Sequence, residues 1–281
     1  MTPWRENSGF FAWPSLLMTL GIWVGFCAVW GLALSGRIPL WLGSPIVLVL
    51  VYLAFTPMHE AAHGNVGGSA GRAWVDLLSG WACSILFLAP FPAFKAVHLR
   101  HHGAVNRPDR DPDLWVAGTG PLNVALRCLS IIPHYYRMFL GPMANKSNRV
   151  ARAQSVVAFV FTAALMGGLI WAGLGLELLV LWLLPAWLAS GLLALAFDWL
   201  PHQPHGELGR WDNARVILGR GLNVLMLGQN YHLVHHLWPR VPFYRYGRVF
   251  YESREELESH GAEIVELTSL RPGSRSVEAG R

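Results

Sequence analysis

Four long apolar runs that contain no charged residue constrain this chain more than any other feature of its sequence. They cover residues 13–35, 39–57, 155–174 and 178–197. A helix of about 20 apolar residues crosses the hydrocarbon core of a bilayer. Only 14% of the residues are charged, whereas soluble domains carry about 25%. The pattern predicts an all-α integral membrane protein with four transmembrane helices, and it excludes a soluble protein and a disordered chain.

A fifth apolar stretch, residues 77–94, is shorter and contains Pro90 and Pro92. Of the 22 Lys and Arg residues, only Arg37 lies in the two short loops that join the first run to the second and the third to the fourth. Because Lys and Arg concentrate on the cytoplasmic side, we expect both termini and the segment between the second and third runs to be cytoplasmic. This topology requires an even number of crossings, so residues 77–94 are expected to form a re-entrant or interfacial helix.

The rest of the chain shows no sequence repeat, and we expect residues 1–268 to form one membrane-embedded domain. Glu252–Leu267 is predicted to be a polar surface helix, and residues 269–281 a disordered tail. The net charge is +5, but the basic residues are dispersed rather than grouped. This dispersion favours a role in membrane topology and argues against a nucleic-acid partner.

The histidines are strongly clustered. Eight of the twelve lie in three boxes: His59-Glu-Ala-Ala-His63, His98-Leu-Arg-His101-His102 and His232-Leu-Val-His235-His236. Residues at i, i+3 and i+4 lie on one face of a helix, so the histidines of each box are expected to project together. All three boxes fall in segments predicted to lie at the cytoplasmic ends of the spans, where they can converge.

Clustered imidazoles favour a metal centre, because imidazole is a common ligand of zinc, copper, iron and nickel. One zinc ion takes three or four protein ligands, so eight clustered histidines indicate two metal ions. A ninth candidate ligand, His202, lies at i+4 from Asp198, where the fourth run ends. Ionisable residues at such a position mark functional sites.

Several polar residues next to these histidines are candidates for supporting roles in catalysis. Glu60 and Asn230 adjoin the first and third boxes, and each is interpreted either as a hydrogen-bonding support of a ligand or as an ordinary surface or loop residue. Asp198 is interpreted either as a ligand, directly or through water, or as a hydrogen-bond partner. Three further carboxylates follow the second box and are expected either to orient its histidines or to form a solvated turn: Asp109, Asp111 and Asp113.

Two other functions remain open on the residues alone. His59-Glu60-x-x-His63 is also the zinc motif of metalloproteases, with the glutamate as general base. That interpretation leaves the other six boxed histidines without a role. A non-catalytic metal carrier is the third possibility. Metal content distinguishes the three, since we expect two irons for an oxygenase, one zinc for a protease and variable occupancy for a carrier.

Four longer runs carry a resemblance to a known family. They are FPAFKAVHLRHHGAVNRPDRDPD (residues 91–113), FDWLPHQP (197–204), RWDNARV (210–216) and GQNYHLVHHLWPRVPFYRY (228–246). With the boxes and spans, they make residues 56–251 resemble the membrane fatty acid desaturase/hydroxylase superfamily. Within it, the runs are most similar to β-carotene hydroxylases of desaturase type, although Glu60 stands where that group has Asp.

The resemblance implies a cytoplasmic helical cap that holds two non-haem iron ions through the nine histidines named above. It also implies O2 as co-substrate, a lipid-soluble carotenoid or acyl substrate, and electrons from a separate ferredoxin- or cytochrome-type protein. The expected reaction is hydroxylation of the rings of β-carotene to give cryptoxanthin and zeaxanthin. A carotenoid ketolase is the nearest alternative, and a fatty-acyl desaturase is the next.

Overall fold

The computed structural model describes residues 3–141, 143 and 148–269, and helices dominate it. Four helices are long and apolar enough to cross a membrane: α2 (Trp13–Leu34), α3 (Leu40–His63), α8 (Arg149–Trp171) and a fourth span over Gly175–Trp199. The four predicted spans are therefore confirmed, and the chain is a multi-pass membrane protein. Two of their bounds differ from the prediction, since α3 continues beyond Pro57 and α8 begins before Ser155.

Helix α3 lies at the centre of the bundle and packs against α2, the fourth span and α4 (Ala73–Leu86). Its buried face follows helical spacing through Val47, Val51, Ala54 and Met58. Gly43 allows the fourth span to approach closely, because a Cβ atom there would lie 2.8 Å from a methyl group of Leu181. The same helix ends in the first histidine box, so this packing fixes the position of that box.

The fourth span is an irregular helix. It consists of α9 (Gly175–Leu178), a π-helical turn over Leu179–Leu183, α10 (Leu184–Leu193) and a second π-helical turn over Ala194–Trp199. Single π turns are often found at functional sites, because they shift the direction of the side chains that follow. The second turn carries Asp198 and leads directly towards His202.

The fifth apolar stretch forms two helices instead of one. Helix α4 ends at Leu86, and α5 (Phe91–His102) begins after it at an angle of 100°. Pro90 and Pro92 mark the bend, because proline is favoured at helix starts and disfavoured in helix interiors. Leu88, at the bend, has φ +58°, and the Tyr136 hydroxyl donates a hydrogen bond to its carbonyl oxygen at 3.0 Å. A bent pair agrees with the expected re-entrant segment, and α5 carries the second box.

The cap that covers the ends of the spans is built from short elements. They are α1 (Pro3–Glu6), α6 (Pro121–Leu129), α7 (Ile131–Leu140), α11 (Leu222–Leu225), α12 (His232–Leu237), α13 (Tyr246–Glu252) and α14 (Arg254–Ser259). The third box lies on α12. Helix α7 follows α6 almost directly and packs against α5, which brings a tyrosine-rich segment close to the second box.

Among the described residues, the one departure from an all-helical fold is a two-stranded sheet in the cap. Strand β1 (Arg215–Leu218) pairs in parallel with β2 (Glu263–Glu266), with Val216 opposite Ile264. The prediction of one helix over Glu252–Leu267 is therefore wrong. Gly261 takes a left-handed backbone conformation with φ +76°, which ends the helix, and the β-branched residues after it favour a strand. The predicted tail lies outside the described residues apart from Ser269, and the one-domain organisation stays a prediction.

Candidate metal centre

The first box occupies the last two turns of α3, where His59 and His63 are both buried. The helix ends at Gly64, which has φ +72°. The Arg240 side chain donates to the carbonyl oxygen of His63 at 2.7 Å, and it thereby satisfies one of the free carbonyl groups at the helix end. The position of the first box is thus tied to the loop that follows the third box.

All nine predicted histidines come together, but they form two groups rather than three. The five-histidine group contains His59, His63, His98, His102 and His235, and the four-histidine group contains His101, His202, His232 and His236. Within each group, the candidate ligand atoms lie within 4.8 Å of one another. The expectation that each box projects as one unit is wrong for the second and third boxes, since each of them contributes to both groups.

The distances between ring nitrogens match those expected between two ligands of one metal ion. The Nε2 atoms of His63 and His98 are 2.8 Å apart, those of His59 and His235 are 3.0 Å apart, and those of His202 and His232 are 3.0 Å apart. Two ligands at right angles, each about 2.1 Å from an ion, lie about 3.0 Å from one another. The nitrogen atoms present therefore fit two metal ions, one for each group.

Hydrogen bonds on the opposite side of the rings agree with this fit. His202 Nδ1 lies 2.8 Å from the carbonyl oxygen of Asn213. A carbonyl oxygen can only accept, so Nδ1 carries the proton and Nε2 presents its lone pair to the four-histidine group. His101 Nδ1 likewise lies 2.8 Å from Asp111 Oδ1. Such contacts from the second ring nitrogen to a carbonyl or carboxylate are typical of histidines that bind a metal.

Burial keeps three rings of the four-histidine group neutral, which is the form that binds metals. It lowers the pKa of His202 to about 3, with the neighbouring His101 contributing in the same direction. Burial also lowers the pKa values of His232 and His236 well below the ordinary range. All three rings are therefore neutral at physiological pH, with a lone pair free for coordination.

The three carboxylates of the acidic loop after the second box differ in their contacts. Asp111 accepts backbone N–H groups from Asn106 at 2.7 Å and Asp113 at 2.9 Å in addition to facing His101. Burial raises the pKa of Asp111, but the charge and hydrogen bond of His101 hold it below its usual value. Asp113 lies 3.3 Å from the same ring nitrogen. Asp109 is exposed, so only two of the three carboxylates contact a histidine.

Asp198 lies beside the four-histidine group without being one of its members. Its Oδ2 atom is 3.1 Å from the hydroxyl of Tyr135, and that hydroxyl is 2.7 Å from Asp113 Oδ1. Tyr135 thus bridges a carboxylate of the fourth span and a carboxylate that faces His101. The bridge connects Asp198 to the ligand set through hydrogen bonds, and a supporting role for Asp198 remains a prediction.

Glu60 and Asn230 make different contacts. Glu60 is fully buried, and its Oε2 atom accepts the backbone N–H of Phe243 at 3.2 Å. Its carboxylate also faces Tyr246, whose hydroxyl lies 2.8 Å from His235 Nδ1. The Asn230 amide donates to the carbonyl oxygen of Ile217 at 3.0 Å, which ties the third box to β1. The predicted supporting roles of both residues are not tested by these contacts.

Three polar residues beside the histidine groups were not predicted from the sequence: Tyr135, Gln229 and Tyr246. Gln229 and Tyr246 lie in the family-like run of residues 228–246 and could have been noticed there, whereas Tyr135 stands on α7 without a motif. Gln229 is buried next to the third box and faces the hydroxyl of Tyr246. For Tyr135, the sequence offers no reason to separate the side chain from ordinary core or surface residues.

A cavity adjoins both histidine groups, and we call it the histidine cavity. His59 and His98 of one group and His101 and His232 of the other line it. Its remaining lining is mainly apolar, with Phe55, Phe87, Phe94, Ile131, Leu193 and Phe197 among the wall residues. Phe94 stacks on His98 with ring centroids 5.6 Å apart and an interplanar angle of 4°. A hydrophobic molecule in this cavity would lie against both groups of ring nitrogens.

Comparison with known proteins agrees with this arrangement. The family model described as fatty acid desaturase matches residues 35–268. A β-carotene ketolase from Paracoccus sp. (strain PC1) is 28% identical over 200 residues, which cover 69% of this chain and 72% of the relative. An sn-1 oleoyl-lipid 12-desaturase from Synechocystis sp. (strain ATCC 27184 / PCC 6803 / Kazusa) is 24% identical over 277 residues, covering 85% of this chain and 74% of the relative.

Proposed function

The chain belongs to the fatty acid desaturase family, and we propose that it is a membrane di-iron oxygenase that hydroxylates the end rings of a carotenoid. The observation that carries the proposal is the apolar histidine cavity, to which both histidine groups contribute two side chains. A hydrocarbon ring in this cavity would be held against nitrogen ligands of both metal sites. The long runs similar to β-carotene hydroxylases favour a carotenoid as the occupant.

The five-histidine and four-histidine groups would each hold one iron ion. Bound iron supplies the redox chemistry that uses O2, two external electrons and two protons to convert a C–H bond into an alcohol and release water. The chain contributes position and environment. Asp111 orients His101 through its hydrogen bond, and Asn213 orients His202. The apolar walls orient the substrate and exclude bulk water from the reacting carbon.

Protons can be held near the cavity by the bridge of Tyr135. Its hydroxyl oxygen lies within hydrogen-bond distance of both Asp113 and Asp198, and all three side chains line the histidine cavity. A hydroxyl between two carboxylates can donate to one of them while it accepts from the other when that one is protonated. We infer that this bridge holds a proton at the edge of the site. The electrons would come from a separate protein at the cytoplasmic face.

A carotenoid ketolase is the second candidate, because the ketolase from Paracoccus is similar over 72% of its length.

The metalloprotease hypothesis is disfavoured by the surroundings of Glu60. Its carboxylate is fully buried against Phe243 and Tyr246, and it does not line the histidine cavity. A general base must reach the water that it activates, and this carboxylate does not face the cavity where a substrate would bind.

The decisive experiment is pigment analysis by liquid chromatography and mass spectrometry in cells that make β-carotene and contain an electron donor. Expression of the chain should convert the pigment into products that gain one and two oxygen atoms as alcohols. A His235→Ala variant of equal abundance is the matched negative control. Carbonyl products would assign the chain to the ketolases. Unchanged pigment would refute a carotenoid substrate, and the fatty acids of the same cells would then be examined for a new double bond or hydroxyl group.

A further inference from the structure

The third span is attached loosely to the rest of the bundle. In α8, 6% of the most apolar window is buried, against 56% in the fourth span. Ser155 is the one buried residue of α8, and the partly buried residues that follow along the helix are Ala158, Thr162, Met166 and Leu169. This spacing forms one narrow stripe, so α8 contacts the bundle along a single line and exposes its other faces to lipid.

A second cavity lies along this stripe, between α8 and α4, and we call it the lateral cavity. Small or flexible side chains of α8 line one wall, with Ala158, Thr162, Ala163 and Met166 among them. Trp81 and Ile85 of α4 contribute to the opposite wall. No charged residue lines the cavity in the described chain, so its surface suits a hydrocarbon and offers nothing to bind an ion.

The lateral cavity adjoins the histidine cavity. Ala89 and Pro90 line both of them, so the bend between α4 and α5 borders both cavities. Leu88 lines the lateral cavity, and its carbonyl oxygen accepts a hydrogen bond from Tyr136, which lines the histidine cavity. The two apolar spaces therefore meet at one short segment of backbone, next to a span that faces lipid.

We propose that the lateral cavity receives the part of a long hydrocarbon substrate that extends beyond the histidine cavity, and that the substrate enters from the bilayer between α8 and α4. This inference rests on the proposed function. A hydrocarbon that passed through water would lose the favourable burial of its apolar surface. An entry between two spans avoids that loss, and the loose attachment of α8 provides the place for it.

The test is a tryptophan placed in the lateral cavity. Ala158→Trp should fill the space between α8 and α4, because Ala158 lines the cavity and lies on the partly buried stripe, and Ala158→Leu should fill it partly. Val160→Trp is the matched control, because Val160 lies on the same helix and is 61% exposed towards lipid. Binding of β-carotene to the purified protein in detergent is measured by the shift of its absorption spectrum, and the iron content of each variant is measured in parallel.

We expect Ala158→Trp to weaken β-carotene binding about tenfold or more, as misfit groups do in apolar pockets, with Ala158→Leu intermediate. Iron content should stay at the wild-type value, and Val160→Trp should bind like the wild type. Unchanged binding in Ala158→Trp would overturn the inference, and so would equal weakening in Val160→Trp. Failure of the proposed function is a separate result, since the wild-type protein would then bind β-carotene in this assay without converting it in the pigment analysis.

Discussion

Asp111→Asn tests whether the carboxylate behind His101 supports the four-histidine group. Asp111 Oδ1 lies 2.8 Å from His101 Nδ1, and its two oxygens also accept backbone N–H groups from Asn106 and Asp113. Asparagine keeps the size of the side chain and one acceptor oxygen. It removes the negative charge that polarises the ring, and its amide group turns one acceptor into a donor.

The expected magnitude follows from the place of this contact. Loss of a hydrogen-bond partner behind a metal-binding histidine lowers metal affinity by about 10–100-fold, which corresponds to about 1.4–2.7 kcal/mol. His101 belongs to the four-histidine group, and no member of the five-histidine group contacts Asp111 through the hydrogen bonds of the described residues. The loss should therefore fall on one of the two metal sites.

The assay is the iron content of the purified protein after equilibration with a chelator at increasing concentration. In Asp111→Asn, one of the two irons should be lost at a chelator concentration about 10–100-fold lower than in the wild type. The other iron should be retained. Asp109→Asn is the matched control, because Asp109 is exposed in the same loop and Asn tolerates its positive φ of 61°. Simultaneous loss of both irons, or equal behaviour of the two variants, would refute the assignment of Asp111 to His101.

Three further predictions can be checked independently. His101→Ala or His235→Ala should abolish product formation while the protein still inserts into membranes, as measured by pigment analysis and membrane fractionation, and normal activity in either variant would contradict the ligand assignment. Tyr135→Phe should lower stability by about 1–3 kcal/mol, because the hydroxyl between two buried carboxylates is lost, and an unchanged midpoint of thermal unfolding would exclude the bridge as a stabilising contact. In intact cells, an impermeant maleimide should label Ser35→Cys and spare Asp109→Cys, and the reverse pattern would invert the proposed topology.

The spans could be predicted from the sequence because lipid offers no hydrogen-bond partner to the backbone. A sufficiently long apolar run in a bilayer must then be helical. The ends of the helices could not be predicted in the same way. Helix α3 continues through Pro57 to His63 because the cap buries its last turns and Gly64 provides the left-handed residue that ends it. The small sheet depends on pairing between β1 and β2, which are far apart in sequence, so local periodicity could not reveal it.

The division of the histidines into two groups follows from helix geometry that the sequence already contains. In a helix with 3.6 residues per turn, side chains at i and i+4 differ in direction by about 40°, whereas those at i+3 and i+4 differ by about 100°. The pairs at i and i+4 accordingly stay together: His59 with His63, His98 with His102, and His232 with His236. The histidine at i+3 in the second and third boxes, His101 or His235, joins the other group.

This exchange makes the two groups depend on one another. The five-histidine group contains the pairs of α3 and α5 and takes His235 from α12, whereas the four-histidine group contains the pair of α12 and takes His101 from α5. Neither group can assemble unless α5 and α12 face each other, and that requires the chain between them to fold back over the ends of the spans. This approach of α5 to α12 could not be predicted from the sequence. It depends on the elements between them: α6, α7, the third and fourth spans and β1. Their relative positions are set by packing rather than by any local pattern.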